Sequence, residues 1–129
     1  MKQTTVVHNH TTLRIERLRA GRGYRLSGEI DLRTHDALAA ALERLHGPGD
    51  IRLDLSELAF CDAAGLGAMI ALAERVWPHG NVILDGVSRQ LSKVLAVLNW
   101  DLRPNLEIRL RAAEPAPNRS VTPRSVTTA

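Results

Sequence analysis

The sequence predicts a single α/β domain built on a mixed β-sheet with helices mainly on one face. Three observations carry this. Apolar residues alternate at period two in some segments and recur at i, i+3, i+4 and i+7 in others, and the two patterns take turns along the chain. Two of the strand-like segments are joined through a helix-like one, which implies a parallel pair with a right-handed crossover. Several strands alternate apolar with charged residues, unlike the unbroken apolar runs of a sheet covered on both faces. The element order read this way is β-β-α-β-α-β-α-β.

Leu13 and Ile15 open the first strand, and Gly21-Arg22-Gly23 supplies a turn. Tyr24, Leu26, Gly28 and Ile30 then alternate with polar residues, so the two strands are expected to form a hairpin. Leu38, Ala41, Leu42 and Leu45 fall on one helical face, beginning near Thr34 and stopped by Gly47-Pro48-Gly49. Ile51, Leu53 and Leu55 alternate with Arg52 and Asp54 in a third strand, which runs into a turn. Leu66, Met69, Ile70, Ala73, Val76 and Trp77 share the face of a second helix that Pro78 and Gly80 end. Val82-Ile83-Leu84 is a short buried strand, Leu91, Val94, Leu95 and Leu98 mark a third helix, and Leu106, Ile108 and Leu110 a last strand.

This organisation occupies residues 13–111, between an N-terminal tail (1–12) and a C-terminal tail (112–129), both expected to be flexible. The C-terminal tail holds three prolines and neither leucine nor aromatic residue, so it lacks the means to bury itself. It is also repetitive: Arg119-Ser120-Val121-Thr122 recurs as Arg124-Ser125-Val126-Thr127, each copy placing Arg three residues before Thr as basophilic kinases favour.

Composition narrows the functional classes. At 129 residues with 44% hydrophobic and 24% charged residues, one core is attainable without metal or disulfide. Cys61 is the single cysteine, no leading apolar run has signal-peptide length because residues 1–12 are polar, and the longest apolar stretch, 63–76, is too short to span a bilayer. The cytoplasm is therefore the expected compartment, with no membrane association. The sequence pI of about 9.7 suggests nucleic acid, yet residues 13–111 carry fourteen Arg and Lys against thirteen Asp and Glu. A region so balanced offers no strong phosphate-binding field, and four aromatics are too few for base stacking. No nucleic acid is expected as a partner.

The most informative stretch is 53–72, Leu-Asp-Leu-Ser-Glu-Leu-Ala-Phe-Cys-Asp-Ala-Ala-Gly-Leu-Gly-Ala-Met-Ile-Ala-Leu. Asp62 sits where a helix N-cap belongs, able to accept from the orphan amides that follow. Ala63 and Ala64 occupy the first turn, at the positive end of the helix dipole. Gly65 and Gly67 are expected to let another backbone approach that turn.

Two motifs in this chain resemble the STAS domain family, the domain of bacterial anti-sigma factor antagonists and of sulfate-transporter tails. They are Leu26-Ser27-Gly28-Glu29-Ile30-Asp31, and Leu53-Asp54-Leu55-Ser56 followed by Asp62-Ala63-Ala64-Gly65-Leu66-Gly67. The family reads roughly L-x-G-E-L-D and L-D-L-S…D-S-S-G-L-G, and the element order fits over residues 13–110. The resemblance implies a non-enzymatic regulatory module with no cofactor, which binds an anti-sigma factor of the histidine-kinase-like ATPase fold. Asp31, Asp62, Ala63, Ala64, Gly65 and Leu66 are the partner-binding residues it implies. The departure lies at the second serine of D-S-S-G, which the partner kinase phosphorylates in switchable antagonists. That position is Ala64, and Ala63 replaces the serine before it, so no hydroxyl is available there. A weak homodimer is compatible with this reading, and the sequence leaves the oligomeric state open. Two other readings of a STAS domain are a scaffold or degenerate homologue assembling with other regulatory domains, and a sensor of a nucleotide or lipid-like effector.

Other signals are weaker. Gly65-x-Gly67-x-x-x-Ala71 with Asp85 about twenty residues on has some likeness to a dinucleotide fingerprint. However, the glycines fall inside a helix start, Met69 and Ile70 crowd the third small position, and no second half-domain follows. His8-Asn9-His10 falls short of a metal site for want of further ligands. His35, His46 and His79 are expected as surface histidines near turns. Cys61 abuts Asp62, which disfavours a thiolate, so it is expected as a small buried residue.

Overall fold

The computed structural model describes residues 6–9 and 12–112. Its strands are β1 (Val6–Asn9), β2 (Leu13–Arg17), β3 (Gly23–Ile30), β4 (Ile51–Cys61), β5 (Val82–Val87) and β6 (Leu106–Leu110). The helices are α1 (His35–Glu43), α2 (Ala63–Val76) and α3 (Arg89–Val97), with a 3-10 turn at Trp100–Leu102. The expected order is present, preceded by one further strand. All six strands form one sheet in the order β1-β2-β3-β4-β5-β6. β1, β2 and β3 pair antiparallel, and β3, β4, β5 and β6 pair parallel.

β1 is the first departure from the sequence reading, which placed residues 1–12 in a flexible tail. Val6 and Val7 suit a strand, but His8 and Asn9 interrupt any apolar alternation, so four residues leave no periodic trace. The expected C-terminal tail, beyond residue 112, lies outside the described residues.

One face of the sheet makes the core. Leu13 and Ile15 of β2, Tyr24 and Leu26 of β3, Ile51, Leu53 and Leu55 of β4, and Val82 and Leu84 of β5 are all buried. They pack with Leu38, Ala41 and Leu42 of α1, Leu66, Met69, Ile70 and Ala73 of α2, and Leu91 and Leu95 of α3 in a single cluster. At about 1.5–3 kcal/mol for each fully buried large aliphatic side chain, this cluster is the main source of stability. The Tyr24 hydroxyl, deep in it, donates to the Ala41 carbonyl at 2.9 Å.

The opposite face is charged and open. A ladder crosses the strands as Glu16↔Arg25, Arg25↔Asp54, Asp54↔Asp85 and Asp85↔Arg109. Arg25 Nε donates to Asp54 Oδ2 at 3.2 Å, and Arg52 Nε to Asp85 Oδ2 at 3.1 Å. These pairs keep a polar face in water while the other face is buried, which explains the apolar-charged alternation.

β4 is longer than the sequence suggests: the turn expected after Leu55 is strand as far as Cys61. Two register shifts against β3 explain why. Arg25 pairs with Asp54 but Ser27 with Glu57, and Gly28 pairs with Leu58 but Glu29 with Phe60. Each inserts an extra residue into β4, and such bulges break the period-two signature. The first is fixed by Asp54, whose Oδ1 accepts from Ser56 N at 3.0 Å and Ser56 Oγ at 2.6 Å. Gly86 of β5, at φ +72°, passes so close that an added Cβ would lie 2.7 Å from Ser56 Cβ.

Asp54 is only 7% exposed. Burial alone would raise its carboxyl pKa, but the Ser56 hydrogen bonds and the Arg25 guanidinium outweigh it and hold the carboxyl below its ordinary value. A lowered folded-state pKa adds stability that is complete above the unfolded-chain value of about 3.9 and is lost as pH falls through the folded one. Asp54→Asn is therefore expected to cost about 1.5–3 kcal/mol at pH 7, a charged hydrogen-bond acceptor being lost. In urea titrations the gap between wild type and variant should stay constant down to about pH 5 and narrow below about pH 4. A gap that holds its size to pH 3 would contradict this role.

Candidate functional site

At the end of β4 one residue turns the chain into α2. Cys61 is the last strand residue and Ala63 the first helical one, so Asp62 alone makes the junction. Its backbone is extended at φ −81° and ψ 173°, and its Oδ1 accepts from Gly65 N at 2.8 Å, the N-cap geometry expected from sequence. Asp62 N in turn donates to Ile30 O at 3.1 Å, which ties the junction to the end of β3.

A second anchor was not legible in the sequence. His35, the first residue of α1, places Nε2 at 2.9 Å from Asp62 Oδ2 and 3.0 Å from Oδ1. This half-buried contact makes an ion pair when the imidazole is protonated and a hydrogen bond otherwise. His35 is thus not the idle surface histidine expected; it locks the α2 cap to α1, twenty-seven residues away. Sequence distance hid the pairing.

Asp31 stands at the neighbouring strand end, because Ile30 and Cys61 are register partners. Its carboxylate accepts from Arg33 N at 3.0 Å and from Arg33 Nη2 at 2.8 Å. The Arg33 guanidinium holds the Asp31 carboxyl below the usual carboxylate range. Below it the Thr34 hydroxyl is fully buried, 3.0 Å from Asp31 N and 3.2 Å from Glu29 O. The 31–34 turn is therefore rigidly knotted rather than loose.

The six sequence-predicted site residues divide by exposure. Ala63 and Ala64 are exposed, and Asp31 and Asp62 are partly so. Gly65 and Leu66 are buried, Leu66 to 1% exposure, so these two build the turn from inside instead of presenting a surface. Gly65 serves packing with side chains and not the backbone approach expected: an added Cβ would fall 2.5 Å from Ile30 Cγ2 and 3.0 Å from Cys61 Sγ. Gly67 faces the Trp100 ring, with an added Cβ 3.4 Å from its nearest carbon.

Cys61 is buried as expected. Burial, helped by the charge of Asp62, pushes its thiol up to about 12, so it stays a protonated thiol at neutral pH.

Two apolar residues at this end of the sheet were missed. Leu32 follows Asp31 and is 84% exposed; Phe60, two residues before Asp62, is 51% exposed. Beside Phe60, a cleft of about 70 Å³ opens between β4 and α3, lined also by Cys61, Ser88, Leu91 and Val94. Large apolar side chains left in water next to an exposed helix N-terminus form a surface suited to a protein partner. No group of three or more metal-ligating side chains occurs among the described residues, and no helix there is long and apolar enough to cross a membrane.

The family model described as "Mlab, STAS domain" matches residues 14–112, most of the chain. The chain belongs to the STAS domain family. Among solved structures, the STAS chain is similar to the crystal structure of an anti-sigma factor antagonist from Mycobacterium paratuberculosis. They share 24% identity at a TM-score of 0.59, over 74% of this chain and 84% of that one. This likeness is one of fold. No curated protein matches the chain.

The Asp62 contacts set an order of costs. Asp62→Ala removes the cap and the His35 partner together and should cost about 1–2 kcal/mol of unfolding free energy, the upper part of the N-cap range. His35→Ala keeps the cap and should cost less, and the double variant should cost less than the two singles combined. Urea denaturation of the four proteins measures this; an Asp62→Ala protein as stable as wild type would refute the capping account.

Proposed function

We propose that this STAS domain is a regulatory binding module that captures an anti-sigma factor of the histidine-kinase-like ATPase fold through the α2 N-terminal turn. The observation that carries the reading is the exposed pair Ala63–Ala64, set on a doubly anchored Asp62 and flanked by the exposed Leu32 and Phe60. The turn is rigid before any partner arrives, so little ordering cost falls on binding. Asp31 and Asp62 supply charge at the rim, and the alanines let a partner come close to the helix end. The chain itself performs no chemistry in this reading.

Regulation follows from the missing hydroxyl. In the family the second serine of D-S-S-G receives phosphate from the partner kinase, and Ala64 offers no oxygen there. The module is in this reading permanently competent to bind, or controlled by supply, location or its C-terminal tail. Thr34 offers no substitute, since its hydroxyl is buried and hydrogen-bonded. Incubation with the cognate anti-sigma kinase and ATP should leave residue 64 unmodified and, Ser56 excepted, no phosphate on residues 56–72 or on Thr34 by mass spectrometry. Stoichiometric phosphate on the folded core would overturn the unswitched reading.

Ala64→Asp separates binding from folding. A carboxylate in the first helical turn is tolerated to within about 1 kcal/mol, less the repulsion from Asp62. In a complex the same charge is buried without a partner, at a cost of several kcal/mol. Titration calorimetry against the anti-sigma kinase should show affinity falling by roughly a hundredfold or more, with an almost unchanged urea midpoint. Wild-type affinity in this variant would exclude the turn from the interface.

A further inference from the structure

The open sheet face holds a second feature, at the end away from the α2 turn. A cavity of about 480 Å³ lies against the β2–β3 hairpin, lined by Glu16, Arg17, Leu18, Arg19, Ala20, Arg25 and Arg52. Arg25 and Arg52 lie near the beginnings of β3 and β4, whereas Asp31 and Asp62 follow the ends of those strands. The β4 residues from Arg52 to Asp62 span roughly 30 Å at about 3.3 Å per residue, so the two sites are separate.

The arginines are set in an unusual way. Arg25 and Arg52 are each held through Nε alone, by Asp54 and Asp85 respectively. Among the described residues their Nη atoms make no hydrogen bond, so each guanidinium is fixed at its inner nitrogen and presents its outer ones. They lie diagonally on adjacent strands of one face, since Arg25 pairs with Asp54, two residues beyond Arg52. Arg19, on the hairpin, has no carboxylate partner among the described residues. The acid in the lining, Glu16, pairs with Arg14 outside it.

We infer that this cavity binds a soluble small molecule carrying a chain of two or more phosphates, gripped by Arg19, Arg25 and Arg52. Guanidinium groups bind phosphate oxygens through two parallel N–H donors, and holding the side chains beforehand removes much of the ordering cost. The cavity is larger than one phosphate needs. Its lining contains no aromatic ring, and Leu18 and Ala20 are its apolar members, so the phosphate chain and not a stacked base supplies recognition. The inference stands apart from the docking proposal and survives if that proposal fails.

The test uses the full chain and inorganic triphosphate at low ionic strength, read by amide shifts in a ¹⁵N–¹H correlation spectrum. Shifts should concentrate at residues 16–20, 25 and 52. Arg19→Gln breaks no ion pair and should weaken binding by roughly tenfold. Arg25→Gln with Arg52→Gln should abolish it, and Arg109→Gln, on the same face outside the cavity, should change nothing. Absence of saturable shifts up to millimolar triphosphate, shifts spread over all surface arginines, or equal losses in Arg19→Gln and Arg109→Gln would each overturn the inference. Phosphatidic acid vesicles distinguish the lipid source: capture of the chain by vesicles without triphosphate binding also overturns it.

Discussion

β4 runs into α2 through Asp62 alone, and this junction fixes most of what the domain presents. A strand that leads so directly into a helix leaves no slack, so the first helical turn must stand at the strand's own end. Asp62 satisfies it by accepting from Gly65 N, and Gly65 must be glycine because Ile30 and Cys61 already fill the space of a Cβ. The backbone bond from Asp62 N to Ile30 O and the contact with His35 then fasten β3, β4, α1 and α2 at one point. Ala63 and Ala64 are exposed because the residues around them are not free to move over them.

The same geometry divides the surface by chemical character. Charge on the open face is balanced pair by pair, Arg25 with Asp54 and Arg52 with Asp85, each arginine held through Nε with its outer nitrogens left outward. At the C-terminal end of the parallel strands this balance gives way to Leu32 and Phe60, exposed and apolar. An apolar surface beside a positive helix end suits a protein partner, whereas the arginines at the opposite end suit an anion. STAS membership agrees with a domain that works by contact.

Much of this was legible in the residues. Strict alternation in Ile51–Leu55 and helical spacing in Leu66–Val76 fixed those elements, and Asp62 followed by two alanines and a glycine announced the cap. Trp77, expected on the same helical face, is instead the extended C-cap residue and half exposed. What stayed hidden has particular causes. β1 is too short and too polar for a period. The bulges at 54–60 erased the alternation of β4, because an unpaired residue shifts every later side chain to the other face. His35 meets Asp62, and Asn105 Nδ2 meets Ala73 O and Gly80 O, only through the tertiary fold. Leu66 fits the helical pattern and the motif equally well, and burial alone assigns it to the core.

Mapping the complex directly is the most searching measurement of the central claim, that the α2 N-terminal turn is the docking surface. An isotope-labelled chain titrated with the unlabelled ATPase domain of an anti-sigma factor should show amide shifts and line broadening at Leu32, Phe60, Asp62, Ala63 and Ala64. The charged face at Arg25, Asp54, Asp85 and Arg109 should remain undisturbed. Saturating binding that perturbs that charged face and spares residues 60–64 would contradict the account.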